Sequence, residues 1–347
     1  MSLNTGALLV IVAGLMSGSA AWPMKLMRRY HFEHWWFVGM LFALILIPWA
    51  VTVIYCPHLL TALWAVPLHS YVLANLWATA WGVANILCGL CYVRIGMGLT
   101  TAILSGLGVC LGVAVPLLVK GSGQFQDAPA LLSPAGLALL TGALVAVLAI
   151  ILAGRAGSGR EQAARSAPRS GGFASSLALA ILAGVFSCGC TMSFVYGQGP
   201  IMTAVKQQGA GNVAASVAVW AVGLAGGALV SVGYAAFLMT RNKSWGILFG
   251  SRREFLLAAV IGLNGGVAMI LLGHGMLLMG ALGASLGSGL QQISWMLGGQ
   301  VVGVVSGEWR GVSRRPRRQM WLSLGLLLLA AMIMVLGNSL AENSRHK

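Results

Sequence analysis

Leu322-Ser-Leu-Gly-Leu-Leu-Leu-Leu-Ala-Ala-Met-Ile-Met-Val-Leu336 is the stretch that decides the fold. Only helices and closed β-barrels satisfy their backbone groups inside a bilayer. Barrel strands alternate lipid-facing and lumen-facing residues over segments of about ten. This run is continuously apolar, as a spanning helix of about 20 residues must be. Read outward from it, the chain shows ten such stretches, roughly at 5–22, 34–55, 72–93, 96–119, 133–154, 173–196, 213–239, 255–273, 275–305 and 320–341. With 58% apolar residues and a mean hydropathy of +0.87, the chain lies far outside soluble composition. The expectation is an all-α membrane protein of ten transmembrane helices.

Acids are scarce: Glu33, Asp127, Glu161, Glu254, Glu308 and Glu342 are the complete set. Each falls in or beside a break in the apolar pattern, so buried polar groups are almost all neutral. A solute would have to be held by uncharged hydrogen bonders and aromatic faces. A carboxylate relay for protons is hard to build from this set.

The net charge of +15 has a placement that speaks of topology. Loops after odd-numbered helices carry Lys25, Arg28 and Arg29; Arg94; Arg155, Arg160, Arg165 and Arg169; Arg241, Lys243, Arg252 and Arg253; and Arg310, Arg314, Arg315, Arg317 and Arg318. The other side holds only Lys120, Lys206, Arg345 and Lys347. Basic residues stay cytoplasmic, so both termini are expected in the periplasm. The Arg314–Arg318 run reads as contact with anionic lipid head groups in the bilayer, with no nucleic acid as partner. No Lys or Arg precedes the first apolar run, so a signal peptide is not expected. Cys88 and Cys91 form a CxxC without a second pair or a nearby His; they read as helix-packing residues, with no metal and no cofactor implied.

Residues 155–172 are polar, basic and rich in Ser and Gly, and read as a cytoplasmic linker. Residues 1–154 then form one five-helix unit and 173–347 another. An odd number of helices per half forces opposite orientations, as in transporters built from inverted repeats with a site at their interface. Asn85 precedes a turn expected around Gly96 and Gly98; Asn264 precedes one expected around Gly273 and Gly275. Gly108 and Gly112, and Gly283 and Gly287, have the four-residue spacing of close helix packing.

The ninth stretch is the richest in polar groups. Ser285, Ser288, Gln292 and Trp295 are spaced to share one helical face, with Gln291 beside it. Adjacent amides in hydrocarbon must find partners. They serve either as interhelical hydrogen bonders or as the lining of a polar cavity, where Trp295 could stack on a sugar. Trp81 and Asn85 share a face of the third helix. Trp35, Trp36, Trp49, Trp309 and Trp321 sit near helix ends and suit an interfacial belt, whereas Trp81, Trp220 and Trp295 fall deeper in their stretches and are the better candidates to line a cavity. Thr191, Ser193, Tyr196 and Gln198 add polar groups to the sixth. His274 is the titratable group that could handle protons, unless it is simply wetted at the outer surface. Gly283-Ala-Ser-Leu-Gly287 matches G-x-S-x-G, but a hydrolase elbow needs a strand-to-helix turn and this match is mid-helix. No enzyme class is indicated.

Ser19-Ala-Ala-Trp-Pro23, Leu46-Ile-Pro-Trp49, Trp81-Gly-Val-Ala-Asn85, Arg94-Ile-Gly-Met-Gly98 and Ile293-Ser-Trp-Met-Leu297, followed by Glu308-Trp309 and Arg314-Arg-Pro316, recur in order along almost the whole chain. In this the chain resembles the bacterial L-rhamnose/proton symporter family of the drug/metabolite transporter superfamily. The resemblance implies a ten-helix, multi-pass inner-membrane transporter that takes up a deoxy-sugar with a proton. The family pattern just before Ile-Ser-Trp-Met-Leu includes an acid flanked by tyrosines, where this chain has Gln291 and Gln292. That departure bears on proton coupling. The expected substrate-binding set is Trp81, Asn85, Ser288, Gln291, Gln292 and Trp295, with His274 for protons. Three alternatives stand beside symport: an uncoupled facilitator, an exporter or flippase of another metabolite, and a membrane scaffold without flux.

Overall fold

A computed structural model describes residues 2–95, 97–164 and 173–345. The described elements are helical, with no strand among the described residues. The main ones are α1 (Ser2–Ser19), α2 (Phe32–Tyr55), α3 (Leu68–Ile95), α4 (Met97–Val119), α5 (Pro134–Ala164) and α6 (Phe173–Ser187). They continue with α7 (Gly189–Gln207), α8 (Asn212–Gly223), α9 (Ala225–Arg241), α10 (Arg252–Leu278), α11 (Gly283–Val305) and α12 (Arg314–Arg345). Among the described residues, 8 helices are long and apolar enough to cross a membrane, with α6 and α7 as one span, or 9 if the bent pair α8–α9 is one span. At 23 residues α11 has the length, about 34 Å at helical rise. Its Ser, Gly and Gln content lowers its hydropathy, so it does not join that set.

Several sequence boundaries move. Residues 155–164, expected in the linker, continue α5; Glu161-Gln-Ala-Ala164 are good helix formers. Residues 165–172 lie outside the described ones, as does Gly96 of the first expected turn. The second expected turn, at Gly273 and Gly275, is helical, because α10 runs on to Leu278. Here the glycines serve contact rather than turning. A Cβ on Gly273 would lie 2.3 Å from Trp220 Nε1, and one on Gly275 would lie 2.8 Å from the Gly6 carbonyl of α1. The true turn is the short 3₁₀ segment Gly280–Leu282.

The breaks in the helices have identifiable causes. A π-helical segment, Leu41–Leu46, interrupts α2 just ahead of Pro48. Proline has no N–H to give the Leu44 carbonyl, and the turn widens. The α8–α9 pair bends by 54°. Asn75 of α3 repairs that break: its Nδ2 donates to the Val222 carbonyl at 3.1 Å and its Oδ1 accepts from the Gly226 N–H at 2.8 Å. Ser193 Oγ of α7 donates to the Gly223 carbonyl at 2.8 Å.

Two ties hold the connecting segments. Glu254, buried at the start of α10, accepts backbone N–H groups of Arg28, Arg29 and Tyr30 at 2.8, 2.9 and 2.5 Å. Tyr30 donates its hydroxyl to the Leu248 carbonyl at 2.6 Å. Burial first, and then the Glu254 carboxylate, push that hydroxyl above its ordinary pKa. Glu33 accepts from Asn242 Nδ2 and Ser244 Oγ, and Lys25 pairs with Glu308. The described acid side chains thus sit at element ends, as their placement in the sequence suggests. The second tie follows α4. Ser122 Oγ donates to the Val195 and Tyr196 carbonyls of α7, each at 2.8 Å, and accepts from the Gly199 N–H at 3.0 Å. Gln124 reaches the Leu277 and Gly280 carbonyls at 3.1 and 3.2 Å. Phe125 packs on Phe194, which stacks on Trp220 with centroids 4.4 Å apart.

Replacing Asn75 by Leu leaves the Gly226 N–H and the Val222 carbonyl unpaired in an apolar setting, at about 1–3 kcal/mol for a lost partner. The expected outcome is a lower thermal unfolding midpoint in detergent for Asn75→Leu. An unchanged midpoint would show that the break holds without this side chain.

Candidate functional site

The polar face of α11 faces glycines of α4. A Cβ on Gly112 would lie 2.1 Å from Ser288 Oγ, and one on Gly108 would lie 2.7 Å from Gln292 Nε2. Ser288 and Gln292 are one turn apart on α11, as are Gly112 and Gly108 on α4, so the two helices meet in antiparallel register. The junction of α6 and α7 forms the third wall. Thr191 Oγ1 donates to Ser288 Oγ at 3.2 Å, and a Cβ on Gly108 would lie 3.1 Å from Ser187 Oγ. The result is a polar seam: Ser288 with Thr191, then Gln292 with Ser187, over a floor of glycine. A side chain at either glycine would fill it.

From another side α1 holds α11. Cβ atoms on Gly14 and Gly18 would lie 2.7 Å from the Gln291 carbonyl and 2.1 Å from the Trp295 carbonyl. Backbone contact this close fixes the rotation of α11, and with it the direction of its amides. Gln291, Gln292 and Trp295 are half-buried, and their side chains make no hydrogen bond with the described residues. Amides acting as interhelical hydrogen bonders would be bonded; these stand open.

Of the third-helix pair, Trp81 reaches the α6–α7 junction with its backbone. The backbone nitrogen of Trp81 lies 3.1 Å from a Cβ built on Gly189 at the start of α7, while a Cβ built on Gly227 would lie 3.0 Å from its ring edge, so the ring packs toward α9. Gly189 follows Ser187 by two residues, a reach of at most about 7 Å. Asn85 sits one turn beyond Trp81, and its Nδ2 is buried without a partner. Trp220 does not line an opening: it is 1% exposed within the aromatic stack, its Nε1 unpartnered. That placement corrects the reading of its depth as a cavity signal, since a tryptophan deep in a span serves packing equally well. Ser193 serves the α8–α9 bend, Gln198 Oε1 accepts from the Gln124 N–H at 3.2 Å, and Tyr196 joins the second tie through its carbonyl.

His274 follows the stripe Leu256, Val260, Leu263 and Val267, which faces outward on α10. Its ring is half-buried, with Nδ1 buried and unpartnered. A surface hollow of about 380 Å³, lined by Arg314, Arg315, Arg318, Gln319 and Leu322, shares no residue with the seam. Among the described residues no group of His, Cys, Asp or Glu is arranged to hold a metal. Reading from sequence missed Ser187 and the partnership of Gly108 and Gly112 with α11. The available signal was the matched four-residue spacing on both helices.

Broken and long apolar helices around a seam of neutral polar groups define a polytopic membrane protein of the solute-transporter class. The chain belongs to the L-rhamnose-proton symport protein family, which it matches over residues 3–340. It is similar to an L-rhamnose-proton symporter of Pectobacterium atrosepticum, 27% identical over 91% of this chain and 92% of that one. One of Klebsiella pneumoniae subsp. pneumoniae is also 27% identical, and one of Escherichia coli O1:K1 25% identical, each over 91% of this chain and 92% of the relative. The family is one of transporters, not enzymes, and membership makes this a multi-pass protein of the inner membrane.

Gly112→Val drives a side chain into Ser288 and is expected to cut solute uptake by proteoliposomes more than about tenfold, since a small misplacement of binding groups is costly. Gly106→Val is its control, because a Cβ there meets nothing within 4 Å. Equal uptake by the two variants would remove the seam from the site.

Proposed function

We infer that the protein is a secondary transporter that carries a neutral deoxy-sugar, with L-rhamnose the first candidate, across the inner membrane by alternating access. The observation that carries this reading is family membership over nearly the whole chain, together with relatives named as L-rhamnose-proton symporters. The seam suits such a cargo. Gln291, Gln292 and Asn85 offer amides, Ser288 a hydroxyl, and Trp81 and Trp295 aromatic faces that pack on the C–H face of a sugar.

Ten spans follow when α6–α7 and α8–α9 each count as one and α11 is added. Five precede the linker and five follow it, which supports two inverted repeats, 1–154 and 173–347, with both termini periplasmic. Single cysteines placed in a cysteine-free background test this. Residues near Lys120 should react with an impermeant maleimide in right-side-out vesicles, and those near Arg310 only after permeabilisation. The reverse pattern would invert the topology.

Proton coupling is the family expectation, and here it would fall to His274, since Gln291 and Gln292 carry no charge. A specific observation favours a second reading, uncoupled facilitation: the described acid side chains sit at element ends and the seam is neutral. Labelled L-rhamnose uptake by proteoliposomes, with and without an inward proton gradient, separates the two. Symport predicts accumulation above the outside concentration only with the gradient, and its loss in His274→Ala. Facilitation predicts equilibration with or without it. No uptake under either condition would overturn the rhamnose assignment.

A further inference from the structure

We propose that Ser187 and Gln292 form a clamp for one hydroxyl group of the substrate, with Gly108 letting both side chains approach where any larger residue would push them away; this rests on the sugar-transport reading above. Both side chains converge on a single point. The Cβ position of Gly108 is 2.7 Å from Gln292 Nε2 and 3.1 Å from Ser187 Oγ. The two groups are therefore no farther apart than the sum of those distances, yet they make no hydrogen bond to each other. Their chemistry is complementary to a hydroxyl. Ser187 gives its proton to the Gly184 carbonyl of its own helix at 2.6 Å, which leaves its oxygen an acceptor. Gln292 Nε2 carries two N–H donors and meets no protein acceptor among the described residues. A group between them must accept from nitrogen and donate to oxygen. A hydroxyl does both; a carbonyl, an ammonium or a methyl group does not.

Ser187 also occupies a position fit for a moving transporter. It is the last residue of α6, directly before the α6–α7 junction. Gln292 belongs to α11, and Gly108 to α4 of the other half of the chain. A hydroxyl held there would bridge α6 and α11 of one half beside α4 of the other, at the boundary across which rocking of the halves would act. A Cβ on Gly184, one turn earlier, would lie 2.7 Å from the Leu107 side chain of α4, so the glycine lets α6 seat closely on α4 beside Gly108.

The test pairs residue with hydroxyl. Full-length wild type, Ser187→Ala and Gly108→Ala are reconstituted in liposomes, and uptake of labelled L-rhamnose is competed with analogues that each lack one ring hydroxyl. Ser187→Ala should weaken apparent affinity for L-rhamnose about 3- to 10-fold, the factor for one neutral hydrogen bond. One analogue should lose a similar factor on the wild type and nothing further on Ser187→Ala, while the other analogues keep their relative order. Gly108→Ala should weaken binding at least as much; if it misfolds, Ser187→Ala alone carries the test. Equal affinity in Ser187→Ala, or a uniform loss across all analogues, would overturn the clamp and leave the transport reading standing. If the wild type takes up no sugar, both readings fall together.

Discussion

Hydrocarbon offers no hydrogen bonds, and the whole structure answers to that constraint. Wherever a helix breaks inside the bundle, its freed backbone groups must be repaired by a neighbour. Asn75 and Ser193 do so at the α8–α9 bend, which allows the chain to change direction beside α3 and α7. The same rule sends the acids to the helix ends. There Glu254 takes three backbone donors and Glu33 meets Asn242 and Ser244. Against this background, half-buried side-chain amides without partners are conspicuous. Gln291 and Gln292 stand open, as does the buried Asn85 Nδ2.

Glycine is the second half of the design. Lipid supplies no hydrophobic drive between helices, so close backbone approach and small residues hold them together. Gly14 and Gly18 seat α1 on α11, while Gly108 and Gly112 bring α4 against its polar face. These contacts set the rotation of α11. They place Ser288 and Gln292 toward the α6–α7 junction without a charge to steer them. Neutral recognition of this kind suits a sugar, whose hydroxyls need donors and acceptors in fixed positions rather than a counter-ion.

Much of this was legible in the sequence, and the reasons are physical. Long apolar runs such as Leu322–Leu336 identify spans because a helix crossing hydrocarbon needs them and an alternating barrel strand does not show them. The spacing of Ser285, Ser288, Gln292 and Trp295 identifies a polar face because helical geometry is fixed. Other features hid because they depend on partners distant in the chain. Gly273 and Gly275 look like a turn until Trp220 and Gly6 are seen against them. Trp220 looks like a cavity wall until Phe194 covers it. Ser187 is one serine among many until Gly108 is seen to let it approach Gln292. The extension of α5 to Ala164 was concealed by its basic composition, which resembles a linker and yet is compatible with a helix.

The central claim is that the seam between α4, α11 and the α6–α7 junction holds the solute. Cryo-electron microscopy of the full chain in lipid nanodiscs with saturating L-rhamnose tests it most directly. Ring-shaped density is expected beside Gln292, within hydrogen-bonding distance of its amide, and absent without sugar. Sugar density elsewhere, with the seam unchanged between the two maps, would contradict it.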